Sequence, residues 1–237
     1  LSVALMRQVR KKRLAHPRRG FYLILRPEDR ALGAPDPVRW IDPLMQYLRL
    51  DYRVALLRAA AFHGASHQAA MVFQVIVPRQ MRGFEVGRQR LEFVYQGPEA
   101  FDQVNRAGWL GALKSDAGFA KVAGLELTLL DCARYFHKAA GINGLAQIAK
   151  DLGGQARPDE LAQIAMYYEN SSVRCLGYLL EWVGHASQAE ALRPFVREGK
   201  TAALLDPSVK PVEGLSDLHE KAPRWLLILN EPVEVDS

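Results

Sequence analysis

Two kinds of hydrophobic pattern divide this chain, and together they fix its fold class. Residues 71–77 form an apolar, β-branched run closed by Pro78. Residues 84–86 and 89–95 alternate polar and apolar side chains on either side of Gly87 and Arg88. From Gly141 onward only the helical period recurs, over 145–152, 158–168, 173–183 and 188–196. Leu161, Ile164, Ala165 and Tyr168 make one apolar stripe there; Val173, Leu176, Leu180 and Val183 make another. Strands in succession followed by helices in succession predict an α+β fold. The expected core is a mixed, mostly antiparallel sheet from about residue 36 to 136, with a C-terminal helical bundle over 141–196. Residues 225–229, apolar throughout, are expected to return as a strand and join that sheet. Leu129, Phe136 and Leu180 are expected to be buried.

The first thirty residues follow a different logic. They hold nine Lys and Arg against Glu28 and Asp29, whereas the whole chain has 31 basic and 26 acidic residues. A basic arm on a near-neutral remainder is the charge layout of a polyanion reader. On a helical wheel Leu1, Leu5 and Val9 make one edge, with Met6 beside it. Arg7 and Lys11 point away from that edge and Arg10 flanks them. After Lys12 and Arg13 the pattern becomes strand, turn, strand over 14–25, with Pro17 and Gly20 as punctuation and Arg18 and Arg19 at the turn. A short basic helix followed by a basic hairpin is how a winged helix ends, so residues 1–30 are expected to be the remnant of one. The helix would enter the major groove and the hairpin tip would lie on phosphates. The chain starts with Leu, and a winged helix has two helices ahead of its recognition helix, so this DNA-reading unit is expected to be incomplete. The DNA-binding residues predicted on this basis are Arg7, Arg10, Lys11, Lys12, Arg13, Arg18 and Arg19. The bland reading of such a cluster is a solvated helix end suited to the helix dipole.

Between arm and sheet, residues 27–37 read as a proline-rich linker. Asp36-Pro37 and Asp42-Pro43 read as helix starts, and residues 53–63 as an Ala/Leu-rich helix ended by Gly64. Residues 97–118 read as irregular, with a short strand after them at 119–122. Leu125, Leu129, Cys132 and Phe136 then line a helical face, with Glu126 in the first turn and Asp131 expected to be solvated.

Residues 14–25, Leu-Ala-His-Pro-Arg-Arg-Gly-Phe-Tyr-Leu-Ile-Leu, resemble the wing of the AbiEi-type antitoxins of the AbiE abortive-infection systems. The similarity continues through residues 52–64, with a tyrosine, a small-residue helix and a terminal His-Gly, and through Ala123-Gly-Leu-Glu-Leu-Thr-Leu-Leu-Asp131. It covers roughly residues 1–184, and the ordered set of segments carries it. The resemblance implies an N-terminal winged helix (1–30 here) that represses its own operon through inverted repeats. It also implies a larger antitoxin domain (36–237) that counteracts a cognate nucleotidyltransferase toxin without a tight toxin–antitoxin complex.

The sequence shows no nucleophile paired with a base, no metal set and no phosphate loop, so no catalysis, cofactor or metal is expected. His63 and His67 have ligand spacing, but Gly64 breaks the helix between them and a zinc site needs a third ligand. Gly83 to Gly87 lacks the Lys-Ser/Thr of a phosphate loop. The two alternatives are an enzyme recruited to nucleic acid by its basic arm, with His63, Glu126, Asp131 and His137 as the residues to test, and a stand-alone winged-helix transcription factor with a sensing domain. No apolar run approaches membrane-spanning length, no signal peptide is visible, and the two cysteines lie in apolar helical patterns; a cytoplasmic protein with reduced thiols is expected.

Overall fold

The computed structural model describes residues 2–65, 72–199, 201–209 and 220–235. The chain divides into two compact units: residues 1–58 with 68–123, and residues 59–67 with 124–237.

The first unit begins with helix α1 (Ser2–Arg10) and the antiparallel hairpin of β1 (Leu14–Arg18) and β2 (Phe21–Ile24). The helix closes by donation from Arg13 N to the Gln8 carbonyl and from Lys12 N to the Val9 carbonyl, with Lys12 in the left-handed region at φ 52°. That closure reverses the chain directly into β1. Residues 27–37 are more than the expected linker: two 3-10 turns, Glu28–Arg30 and Pro37–Arg39, bury Asp29, Ala34, Pro37 and Val38. The Asp36 carboxylate caps the second turn by accepting from Val38 N at 2.8 Å. Helix α2 (Ile41–Leu48) follows, with Asp42 in its first turn and Ile41, Leu44 and Met45 facing the core.

A six-stranded mixed sheet carries this unit, in the order β5-β6-β4-β3-β8-β7. Its strands are β3 (Arg53–Val54), β4 (Val72–Val77), β5 (Phe84–Val86), β6 (Gln89–Tyr95), β7 (Leu110–Ser115) and β8 (Gly118–Ala123). Three of the five pairings are antiparallel; β4 runs parallel to β6, and β3 runs parallel to β8. Two sequence expectations are corrected here. Residues 53 and 54 are a strand in the middle of the sheet, and helix α3 starts only at Leu56 (Leu56–Phe62), whose φ of 54° makes the strand-to-helix switch. An Ala/Leu-rich sequence hides that switch, since no glycine marks it. Residues 97–118, expected to be irregular, hold α4 (Pro98–Val104), with Pro98 in its first turn and Phe101 and Val104 fully buried, and then β7. The β7 side chains are exposed or half-buried, as suits an edge strand, so the strand has little hydrophobic signature.

The second unit is helical. It holds α5 (Leu125–Arg134), α6 (Gly141–Leu152), α7 (Pro158–Ala165), α8 (Asn170–Trp182), α9 (Ala186–Leu192) and α10 (Pro194–Glu198). Leu129 and Leu180 are fully buried, as are Leu145, Leu161 and Leu176. Phe136 is only half-buried: α5 ends at Arg134, and Phe136 sits in a 3-10 turn edge-on to His137. Asp131, expected to be solvated, is fully buried and accepts from the Tyr168 hydroxyl at 2.7 Å. Cys132 and Cys175 are buried free thiols; burial, with the nearby Asp206 charge, pushes the Cys175 thiol up to about 12.

The C-terminal strand does not join the six-stranded sheet. It is β11 (Leu227–Leu229), which pairs with β10 (Glu220–Ala222) and β9 (Ala203–Leu204) in a separate three-stranded sheet of the second unit. The reason lies just before it. Trp225 is buried against Gly177 of α8, where an added Cβ would meet its ring at 2.2 Å, and its indole N–H donates to Glu181 at 2.6 Å. The buried Arg174 side chain donates to the carbonyls of Thr201 and Leu226 at 3.1 and 3.0 Å. These contacts hold the strand to α8, and an apolar pentapeptide by itself does not say which sheet it serves.

Candidate nucleic-acid interface

Charge separates the two units more sharply than it separates the arm from the rest. The first unit carries 20 Lys and Arg against 10 Asp and Glu, a net of +10; the second carries 11 against 16, a net of −5. The fold adds strands from residues 72–123 to the basic arm, and they bring further cations.

Arg7, Arg10, Lys11, Lys12 and Arg13 are all exposed along α1 and just past its end. Leu5 and Val9 are half-buried on the other side of the helix, whereas Val3 and Met6 are 72% and 42% exposed. Arg19 and Gly20 form the two-residue turn between β1 and β2, with Gly20 at φ 81°. Both residues are exposed. The turn is fixed from behind, because the Tyr47 hydroxyl of α2 donates to the Arg19 carbonyl at 3.2 Å and the Phe21 and Tyr47 rings lie 5.6 Å apart. Across the hairpin, His16 stacks on Tyr22 at 4.5 Å.

Arg18 differs from the other six residues of the predicted set. Its guanidinium donates to the Arg82 carbonyl at 3.1 Å and lies 5.1 Å from the centre of the Phe84 ring, so it ties the hairpin to β5. Sequence reasoning paired Arg18 with Arg19 because they are adjacent. Arg18 ends β1 and is taken up by the Arg82 carbonyl and by Phe84 of β5, whereas Arg19 stands in the turn and stays exposed.

Beside α1 and β1 lies a groove of about 550 Å³, which sequence reasoning missed. Lys12, His16, Arg30, Arg88 and the lone acid Glu85 line it, together with Val9, Leu14 and Leu25. Arg30 and Arg88 reach it because the 30–33 loop and the β5–β6 turn touch: Arg88 N donates to the Leu32 carbonyl at 2.7 Å. A Cβ on Gly87 (φ 57°) would meet that same carbonyl at 2.1 Å. Only a glycine fits there.

The base of the hairpin is held by an ion-pair network. Arg39 pairs with Asp29 at 3.2 Å and with Asp116 at 2.9 Å, and Arg26 also bonds Asp116, which lies in the β7–β8 turn. The hydrogen bond from Arg26 holds the Asp116 carboxyl below the usual carboxylate range. A depressed folded-state pKa means that the link is present at neutral pH and is lost as pH falls through that lowered value. An NMR titration of the Asp116 side-chain carboxyl should therefore give a midpoint below that of an exposed Asp, and Arg26→Ala should raise it.

Of the residues proposed for catalysis, Glu126 is nearly buried and accepts from Arg157 N at 2.9 Å, while Asp131 serves Tyr168 as above. His63 follows α3 and stacks edge-on with Phe62, and His137 is exposed; His67 lies outside the described residues. Among the described residues no group of three or more His, Cys, Asp or Glu is placed to hold a metal ion, and no helix is long and apolar enough to cross a membrane.

Residues 53–182 match the family model of the AbiEi antitoxin C-terminal domain. That span is more than half of the chain. The chain belongs to the AbiEi antitoxin family. Membership gives this AbiEi-type protein an antitoxin or regulator role and, in general terms, a toxin as counterpart. The same architecture occurs in the RV2827C protein from Mycobacterium tuberculosis, whose crystal structure matches with a TM-score of 0.62 at 15% identity, over 96% of this chain and 78% of that one. At that identity the likeness speaks for the fold alone, which in this chain is mixed α+β. No curated protein matches the sequence. The matched span starts at Arg53, beyond the basic arm, so the arm's role rests on its own geometry.

Proposed function

We propose that this AbiEi-type antitoxin is also a DNA-binding autorepressor. Residues 1–30 are the recognition helix and wing of a winged-helix domain, and residues 36–237 form the antitoxin domain that counteracts a cognate nucleotidyltransferase toxin without a stable complex. The supporting observation is the exposed cationic face of α1 followed directly by a hairpin whose turn, Arg19–Gly20, is braced by Tyr47. A braced turn presents Arg19 to a phosphate without first having to be ordered. The target is operator DNA with inverted repeats; the site of action is the cytoplasm, and no cofactor, metal or catalysis enters the reading.

The roles divide by geometry. Arg7 and Lys11 share the face of α1 opposite Leu5 and Val9 and are the groove candidates. Arg10, Lys12, Arg13 and Arg19 lie where side chains meet phosphates. Arg18 supports the wing from the protein side. The test is a titration of the protein against the DNA upstream of its gene and a scrambled duplex at several salt concentrations. Arg19→Ala should weaken both duplexes equally and lower the salt slope by about 0.9. Arg7→Ala should weaken the operator preferentially, by about 1–3 kcal/mol for a bidentate base contact. Arg18→Ala should lower the melting temperature as well as the affinity, which Arg19→Ala should not. Wild-type affinity in all three variants would leave the arm as a solvated face.

A further inference from the structure

In the second unit the end of α8, β10 and the segment after β11 border an open cavity of about 460 Å³. Its aromatic walls are Tyr178 and Trp182, its carboxylates are Glu220 and Glu231, and Leu229, Asn230, Pro232 and Val233 complete it. No Lys, Arg or His is among these lining residues, and Trp182 is 45% exposed although it is a large apolar side chain. The floor is rigid: the Asn230 amide donates to the Asp206 and Val209 carbonyls at 2.7 and 2.9 Å and accepts from Asp206 N at 3.0 Å.

The electrostatics are unbalanced. Glu231 shares a hydrogen bond with Asp206, and burial, then that bond and the Asp206 charge, raise the Glu231 carboxyl above its ordinary range. Burial also opposes the Asp206 charge, but donation from Ser208 N and Oγ outweighs it and holds the Asp206 carboxyl below its ordinary range. Tyr178 is raised by burial and then by the Glu220 charge. Two aromatic side chains and the Glu220 carboxylate, with no cation lining the cavity among the described residues, have the chemistry that receives an organic cation.

We propose that this cavity is a binding site for an alkylammonium or guanidinium group, seated on the Trp182 and Tyr178 rings and paired with Glu220. The group could be carried by a free polyamine or by an Arg or Lys side chain of a protein, and the two sources are separable by experiment. The proposal does not depend on DNA binding by the arm, which lies in the other unit.

The probes are spermidine and a glycine-flanked single-arginine peptide, with the corresponding glutamate peptide as control. The signal is the Trp182 indole N–H resonance, identified among the four tryptophans by its absence from Trp182→Leu. A saturable shift with the cationic probes and none with the control is expected. Trp182→Leu, read from the backbone amides of Leu229, Asn230, Glu231 and Val233, should weaken binding about five- to thirty-fold, the size of a part-desolvated cation–π contact. Glu220→Gln, which keeps the shape of the side chain while removing its charge, should weaken it several-fold. Tighter binding of the peptide assigns the site to a protein side chain, and tighter binding of spermidine assigns it to a polyamine; either result supports the site. Shifts spread over the acidic surface without saturation, or unchanged affinity in folded Trp182→Leu and Glu220→Gln, would overturn it.

Discussion

Replacing Arg10, Lys12, Arg13 and Arg19 together by glutamine is expected to lower the salt slope of DNA binding by up to about 3.6. The affinity at 0.1 M salt should fall by up to about 4,000-fold, since each phosphate contact releases roughly 0.9 counterion. All four side chains are exposed, and none has an internal ion pair among the described residues. The change should therefore leave folding intact, within about 0.5 kcal/mol per site for surface positions. Because Arg7 and Lys11 remain, the ratio of operator to random affinity should persist while both affinities drop. Titrations on both duplexes across a salt series, with thermal melts of the same samples, decide it. Retained affinity at every salt concentration would remove the phosphate-contact role of these residues, and a drop confined to the operator would transfer them to base recognition.

Leu129→Ala and Leu180→Ala should each destabilise the second unit by about 2–5 kcal/mol. Both side chains are fully buried, on α5 and α8, within one compact unit. A leucine removed from such a place leaves a cavity that close-packed neighbours fill only in part. Phe136→Ala should cost less than either, because Phe136 retains solvent contact in its 3-10 turn. Urea titrations followed by far-UV circular dichroism give the three values. Losses below about 1 kcal/mol at both leucines would mean that their helical faces had been assigned wrongly.

For regular elements the sequence was a sufficient guide. The basic helix, the 14–25 hairpin, β4 to β6 and the long helices were legible because each announces itself locally, by period, by turn residues or by caps. The two buried cysteines were legible for the same reason. The AbiEi resemblance rested on several such segments in order, and the family match over residues 53–182 agrees with it.

What failed was whatever depends on a partner distant in the chain. A two-residue strand such as Arg53–Val54 exists only because β4 and β8 flank it, and its Arg53 is buried through a bond to Gln96 at 2.7 Å and the nearby Phe101 ring. Asp131 looks like a solvated carboxylate until Tyr168 reaches it from thirty-seven residues away. The separation between Arg18 and Arg19 is of the same kind, because Arg82 and Phe84 take one of two neighbouring cations and leave the other to solvent. Residues 225–229 were legible as a strand-forming run, but which sheet they joined was settled by Gly177 leaving room for Trp225. Composition set the total charge, while the division into a +10 unit and a −5 unit came from the tertiary structure grouping residues 68–123 with the arm. Local patterns are carried by backbone geometry and hydrophobic period, which neighbouring residues determine; pairing, burial of charge and the shape of a site require contacts that only the folded chain makes.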